Sequence, residues 1–158
     1  EQFVEANIPF IFDPGQGLPM FSGEELLDFV DKATWVALND YEAQLMEERT
    51  GKSPHELAEM VDALIVTRGA KGSQIYTTQH RHDIPLAKVS AIKDPTGCGD
   101  AYRAGVLYGL LNDLDWKTIG RIASLMGAIK IESHGTQNHM FEMDEFIDRF
   151  KDNFGYRF

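Results

Sequence analysis

The hydrophobic and polar positions of the chain alternate between short apolar runs and longer segments with helical periodicity. Apolar runs bounded by turn residues are typical of buried strands. They predict strands at 8–12, 35–38, 64–67 and 73–78, with two shorter strands around Ile84 and Val89 that hairpins would join.

Helices are predicted where capping residues precede a helical spacing of apolar residues. Ser22 with Glu25 and Asn39 with Glu42 have the sequence of a capping box, and Ser53 is followed by a proline at the first helical position. Further helices are predicted over 100–112, 116–131 and 142–153, and residues 2–7 have the character of a helix end. The alternation of strands and helices predicts an α/β fold with a largely parallel sheet and no domain boundary inside the chain.

The composition is typical of a globular protein, since 43% of the 158 residues are hydrophobic and 25% are charged. A formal net charge of −10 argues against binding to nucleic acid or to an anionic membrane. Cys98 is the single cysteine, so no disulfide can form within the chain, and the cytoplasm is the expected compartment. The chain begins at Glu1 within a predicted helix end, and we expect it to be a piece of a longer protein.

The stretch from Asp94 to Asp100, with the sequence DPTGCGD, runs directly into a predicted helix. Gly97 and Gly99 let backbone N–H groups approach a ligand closely, and a helix start adds unpaired N–H groups and the positive end of the helix dipole. These N–H groups, together with that of Cys98, predict a site for an anion such as phosphate. A carboxylate at Asp100 would repel that anion, so Asp100 either caps the helix or takes a proton during a reaction on a phosphate.

Asn39, Gly69 and Gly97 each lie just past a predicted strand. Because the carboxyl ends of parallel strands meet at one edge of a sheet, we expect the three loops to lie on that edge. Asn39 and Glu42 form either a plain helix cap or an oxygen site for Mg²⁺. The stretch from Thr67 to Gly72, TRGAKG, is either a tight turn or a wrap around nucleotide phosphates, with Arg68 or Lys71 supplying charge. The residues alone leave both alternatives open in each case.

Two common nucleotide-binding patterns are excluded. The TGKS sequence at 50–53 lacks the first glycine of a P-loop, because Met46 stands at that position. The Gly97-x-Gly99 pattern lacks the third glycine of a dinucleotide fingerprint, where Tyr102 stands. The second absence disfavours an NAD-binding oxidoreductase.

The sequence DPTGCGD followed by AYRAG resembles the C-terminal signature of the ribokinase-like (PfkB) family of sugar and nucleoside kinases. Asn39 to Glu42 resembles the Asn-x-x-Glu motif of that family, and Thr67 to Gly72 resembles its nucleotide-phosphate turn. The combination of GCGDAYRAG with the later GTQNH is most similar to bacterial members described as adenosine or carbohydrate kinases. The resemblance implies a three-layer Rossmann-like α/β fold and ATP-dependent phosphorylation of a hydroxymethyl group on a nucleoside or sugar.

The resemblance also implies a role for each matching residue. Asp100 would be the catalytic base that accepts the proton of the attacking hydroxyl. The anion hole would be formed by Gly97, Cys98 and Gly99. Asn39 and Glu42 would organise Mg²⁺ and the phosphate oxygens. The nucleotide would be lined by Thr67, Gly69, Lys71 and Gly72.

A monovalent cation such as K⁺ is a further implication of the resemblance. Its predicted site includes Asp94, Thr96, Lys130, Ser133 and Gly135. Family members also carry an N-terminal half with a lid sheet and most of the substrate contacts, which this chain lacks. We therefore expect residues 1–158 to be one C-terminal portion of a kinase domain, with little catalytic activity alone. The N-terminal half is the expected partner, and a homodimer is a second expected assembly.

Three functions stay open at this point. The first is an adenosine kinase-like nucleoside kinase, and the second is a sugar kinase of the ribokinase or fructokinase type. The third is a nucleotide-binding module that has lost catalysis.

Overall fold

Five strands and seven α-helices follow one another in the computed structural model, which describes residues 1–158. The strands are β1 (Ile11–Phe12), β2 (Trp35–Asn39), β3 (Ala63–Thr67), β4 (Ser73–Tyr76) and β5 (Arg81–Ile84). The helices are α1 (Gln2–Glu5), α2 (Gly23–Lys32), α3 (Asp40–Thr50), α4 (Pro54–Ala58), α5 (Cys98–Leu111), α6 (Trp116–Ile131) and α7 (Met143–Phe154). None of these helices has the length and apolar character needed to cross a membrane.

The strands form one sheet in the order β1-β2-β3-β4-β5. The pairs β1–β2 and β2–β3 are parallel, and Asn39 at the end of β2 lies opposite Thr67 at the end of β3. The links at 68–72 and 77–80 are too short for a parallel crossover, so β4 and β5 continue the sheet as antiparallel strands. The predicted α/β fold is confirmed, with a mixed sheet.

The chain divides into two compact units, Glu1–Arg68 with Gln74–Asp83 and Gly69–Ser73 with Ile84–Phe158. In the first unit the central residues of β2 and β3 are buried, as expected for parallel strands covered on both faces. Leu26 and Val30 of α2 and Met46 of α3 are fully buried in the same hydrophobic cluster. Burial of each such side chain stabilises the unit by about 1.5–3 kcal/mol.

The second unit is built on the helices α5, α6 and α7. Ile122 and Leu125 of α6 share a buried cluster with Phe146 and Phe150 of α7. Where α5 passes α6, Gly105 lies so close to the neighbouring helix that an added Cβ would stand 2.6 Å from the Cα of Ala123. The absence of a side chain at this position therefore sets the separation of α5 and α6.

The strand predicted around Val89 is wrong. Backbone N–H groups of this segment donate to side chains on helices rather than to a neighbouring strand: Ala87 to Ser124 Oγ at 2.9 Å, and Ser90 to Glu132 Oε1 at 2.6 Å. Apolar spacing alone cannot distinguish such a side-chain-bonded segment from a strand, because both bury alternate residues.

The carboxylate of Glu132 links this segment to α7. Arg149 donates to both oxygens of Glu132, at 2.6 and 2.9 Å, and Ser90 N–H adds a third hydrogen bond. The hydrogen bonds from Arg149, followed by those from Ser90, lower the pKa of Glu132 to about 2. A carboxyl group whose pKa is lower in the folded state than in the unfolded state stabilises the fold at pH values above its unfolded-state pKa. That contribution disappears as the pH falls towards the folded-state pKa.

We therefore expect Glu132→Gln to lower the free energy of unfolding at neutral pH by about 1.5–3 kcal/mol, the range for hydrogen bonds to charged groups. The difference from the unsubstituted chain should shrink as the pH drops below 4.5 towards 2. Urea unfolding across this pH range measures it. Asp148→Asn is the control, since Asp148 pairs with Arg157 on the open surface and should cost below about 1 kcal/mol.

Candidate active site

The loop before α5 begins the candidate site. Gly97 is the N-cap of α5 with φ of +82°, a left-handed conformation that favours glycine. An added Cβ there would stand 3.1 Å from the carbonyl oxygen of Thr136, so the loop at 94–97 lies directly against the loop at 133–136. The sequence DPTGCGD thus forms the predicted loop and helix start, with α5 beginning at Cys98.

The N–H groups of this helix start are not equivalent. Cys98 N–H donates to Pro95 O at 3.1 Å, which closes a turn and uses the donor within the loop. Gly99 and Asp100 lie in the first turn of α5, where N–H groups lack helical acceptors. The donors best placed for an anion are therefore those of Gly99 and Asp100, and the N–H of Asp100 was not among those the sequence suggested.

The Asp100 side chain is 85% exposed at the N-terminus of α5. Its Oδ1 lies 3.8 Å from Nη1 of Arg103, one turn further along the helix. The guanidinium of Arg103 lies over Gly99, since an added Cβ on that glycine would stand 2.6 Å from Nη1. A carboxylate, an arginine and a helix start thus converge at one point.

Sequence reasoning did not single out Arg103. The available signal was its position three residues after Asp100, which places the two side chains on the same helical face. A guanidinium at this helix start adds positive charge beside the predicted anion site, in a chain whose formal net charge is −10.

Asp94 holds the loop in place. Its Oδ1 accepts from Thr96 N–H at 2.9 Å, and its Oδ2 accepts from Gly135 N–H at 2.8 Å. The hydrogen bonds from Thr96, then the one from Gly135, lower the pKa of Asp94 to about 2. Asp94 is therefore ionised at neutral pH and joins the loops at 94–97 and 133–136.

Lys130 lies beneath these two loops with no exposed surface. Its Nζ donates to Asp94 O at 2.7 Å and to Ser133 O at 3.3 Å. A protonated lysine has three donors and no acceptor, so this side chain cannot be a ligand of a cation. Its ammonium also occupies carbonyl oxygens that a free monovalent cation would need, and the predicted residues do not fit a free K⁺ at this point.

The thiol of Cys98 is not activated. A cysteine beside a helix N-terminus often has a lowered pKa, but burial raises the pKa of Cys98, and its Sγ lies 3.9 Å from Asp94 O. The structure gives this residue a backbone role in the loop.

In the first unit, Asn39 and Glu42 form the predicted capping box. Asn39 Oδ1 accepts from Glu42 N–H and Glu42 Oε2 accepts from Asn39 N–H, both at 2.8 Å. Glu42 is 8% exposed, so the cap holds a nearly buried carboxylate at the end of β2. No three His, Cys, Asp or Glu side chains in the chain are grouped as a metal site. The pair still fits Mg²⁺, which usually takes one or two carboxylates and fills its other positions with water and phosphate oxygens.

The stretch from Thr67 to Gly72 is a tight 3₁₀ turn after β3. Thr67 Oγ1 donates to Leu38 O at 3.4 Å within the first unit. Gly69 and Gly72 have φ of +52° and +79°, and an added Cβ on Gly72 would stand 2.2 Å from Ile84 O. The turn therefore requires glycine for its own geometry, whatever it binds.

The second unit holds a buried contact beside this turn. Ser73 Oγ lies 2.6 Å from the hydroxyl of Tyr102 on α5. Burial raises the pKa of Tyr102 to about 12, so the phenol stays protonated. This contact fixes the turn at 69–73 to the helix that carries Asp100.

The structure brings together Asp94, Thr96, Gly97, Lys130, Ser133 and Gly135 around the base of α5. It places Asn39 opposite Thr67 at the ends of β2 and β3. The predicted strand before Gly97 is absent, so the expectation that this loop directly follows a strand is wrong.

Comparison with known proteins agrees with the motifs. The profile described as "pfkB family carbohydrate kinase" matches residues 5–142. The chain belongs to the PfkB family of carbohydrate kinases. Its resemblance to ribokinase-like kinases, predicted from three motifs, is thereby confirmed.

The relatives of this PfkB-family chain include nucleoside kinases. It is 36% identical over 138 residues to the nucleoside kinase of Methanocaldococcus jannaschii, covering 87% of this chain and 46% of that protein. The nucleoside kinase of Burkholderia thailandensis in complex with inosine superimposes with a TM-score of 0.97 at 48% identity, covering 99% of this chain and 52% of that one. The same kinase with ADP and inosine gives a TM-score of 0.96. The chain spans about half the length of these relatives.

Proposed function

We propose that this chain is the C-terminal part of an ATP-dependent kinase that phosphorylates a hydroxymethyl group of a nucleoside, in the manner of an adenosine kinase. The observation that carries the proposal is the exposed carboxylate of Asp100 at a helix start whose N–H groups favour an anion. A carboxylate there is unfavourable for a phosphate alone. It becomes favourable when a substrate hydroxyl lies between the two, because the carboxylate then accepts the hydroxyl proton.

In the proposed step, Asp100 accepts the proton as the nucleoside oxygen attacks the γ-phosphorus of ATP. The new bond joins that oxygen to phosphorus, the bond to the β,γ-bridging oxygen breaks, and ADP leaves. The loop at Gly97, Cys98 and Gly99 holds the phosphoryl group during its transfer to the nucleoside oxygen, and the free N–H groups of the first turn of α5 donate to its oxygens. Phosphoryl transfer depends mainly on positioning and charge neutralisation, which these groups and Arg103 supply.

We assign nucleotide and metal binding to the other motif residues. Thr67, Gly69, Lys71 and Gly72 line the nucleotide in this proposal. Glu42, oriented by Asn39, would hold Mg²⁺ through water, and the metal would supply charge neutralisation for the phosphates. The single cysteine supports a cytoplasmic enzyme, and the N-terminal half of the kinase is its proposed partner.

A panel of acceptors tests the proposed function. With ATP and Mg²⁺, a full-length version that carries the N-terminal half should phosphorylate adenosine or inosine with a kcat/KM about 100-fold or more above ribose and fructose, because a site that hydrogen-bonds a base discriminates strongly against ligands without one. ADP formation coupled to NADH oxidation measures the rates. The 158-residue chain alone is the control and should be feeble.

The other outcomes identify the alternatives. Preference for ribose or fructose would make the protein a sugar kinase of the ribokinase or fructokinase type. ATP binding by calorimetry without turnover on any acceptor would make it a nucleotide-binding module.

A further inference from the structure

The buried ammonium of Lys130 takes no part in the proposed reaction. Lysine is among the residues least often fully buried, and burial of its charge is costly unless hydrogen bonds replace water. Here the residue has no exposed surface, and Nζ donates to the carbonyl oxygens of Asp94 and Ser133. Because burial of the Lys130 ammonium costs desolvation energy, its position indicates a function in the two loops that it contacts.

The two carbonyls belong to the two loops at the base of α5. Asp94 begins the loop that ends in the helix N-cap, and Ser133 begins the loop that follows α6. Gly135 N–H also donates to the Asp94 carboxylate, and Gly97 lies against Thr136. The Lys130 ammonium therefore links the loop at 94–97, called the anion loop below, to the loop at 133–136 through hydrogen bonds.

Carbonyl oxygens from adjoining loops are also the ligands that bind a dehydrated monovalent cation such as K⁺. The ammonium group is a cation of similar size with the same charge. Two such cations would repel each other strongly over the few ångströms available inside a protein. The position is thus suited to one positive charge, and the lysine provides it.

We propose that the Lys130 ammonium is a tethered monovalent cation that orders the anion loop, so that this protein needs no free K⁺ for stability or turnover. Lys130 is a positioning residue, since it acts on the phosphate site through the loop at 94–97. Its effect on turnover rests on the proposed kinase function, whereas its effect on stability does not.

The experiment compares salts at constant ionic strength, so that general screening is equal. Thermal melts and kinase rates of the full-length protein are measured in KCl, NaCl, NH₄Cl and tetramethylammonium chloride. The unsubstituted protein should give the same melting temperature and the same kcat in all four salts. A clear dependence on K⁺ would overturn the proposal, and this result requires no variant.

Lys130→Ala removes the tethered charge and leaves its space open. We expect this variant to melt lower and to lose about 10²-fold in kcat in tetramethylammonium chloride, because the phosphate loop loses its position. KCl or NH₄Cl should recover part of both losses, since a free cation can then enter. Lys117→Ala, an exposed change on the same helix, should show neither loss nor rescue.

An equal response of Lys130→Ala to all four salts would also overturn the proposal. Salt-specific rescue of the melting temperature in a protein without kinase activity would support the tethered cation and refute the proposed function. If Lys130→Ala does not fold, the same salt series on the unsubstituted protein and on Lys130→Met tests whether a tethered cation replaces K⁺.

Discussion

Replacing Asp100 with asparagine is expected to lower kcat by about 10²–10⁴-fold, the range for loss of a positioned general base. Asparagine has nearly the same shape, but its amide is too weak a base to accept the hydroxyl proton. Because Asp100 is exposed, the substitution should leave the fold intact, with a cost of about 1 kcal/mol or less from the helix dipole. KM for ATP should change little, since in the proposed reaction the carboxylate acts on the acceptor hydroxyl. Steady-state kinetics of the full-length protein measure both parameters.

Asp113→Asn provides a matched control for this prediction. Asp113 lies just beyond the other end of α5 with φ of +52°, a conformation that asparagine also adopts readily. The same chemical change there should leave kcat unaltered. An unchanged kcat in Asp100→Asn would show that Asp100 only stabilises the first turn of α5, and the proposed base would be wrong.

Much of the fold was predictable because local signals decide it. The predicted capping boxes at Ser22 and Asn39 both form, and the helix predicted after Ser53 begins with Pro54 at its first position. The strands ending at Asn39 and Thr67 follow from buried apolar runs. The segment around Val89 was mistaken for a strand because its hydrogen-bond acceptors come from distant helices, which local sequence does not reveal.

The site was predictable in its motifs but not in its internal contacts. The glycines and the aspartate of DPTGCGD predicted a loop that runs into a helix start and binds an anion, and the structure forms that loop and helix start. The contact between Asp94 and Gly135 joins residues 41 positions apart, so no local pattern predicts it, and only the family resemblance placed the two residues together. The 36 positions between Lys130 and Asp94 likewise concealed the role of the Lys130 side chain, which the resemblance alone grouped with a cation site.

The largest stability effect is expected at the crossing of α5 and α6. Gly105→Ala should lower the free energy of unfolding by about 3 kcal/mol, the upper end of the range for overpacking. The new methyl group would meet backbone atoms of Ala123, Cα at 2.6 Å and N at 2.9 Å, which cannot rotate away as a side chain would. The helices must then separate, and α5 carries the anion loop at its N-terminus. Urea unfolding monitored by circular dichroism measures the loss.

Gly127→Ala on α6 is the control that separates packing from helix propensity. An added Cβ there meets only Cys98 O at 3.7 Å, an ordinary contact, so this change should stabilise the protein by about 0.5–1 kcal/mol. Opposite signs at two helical glycines would show that close approach of the backbones, rather than glycine itself, determines the effect. If Gly105→Ala is as stable as Gly127→Ala, α5 and α6 are not packed as closely as described. In full-length protein that remains folded, Gly105→Ala should also lower kcat, because displacement of α5 moves Asp100 relative to the loop held by Lys130.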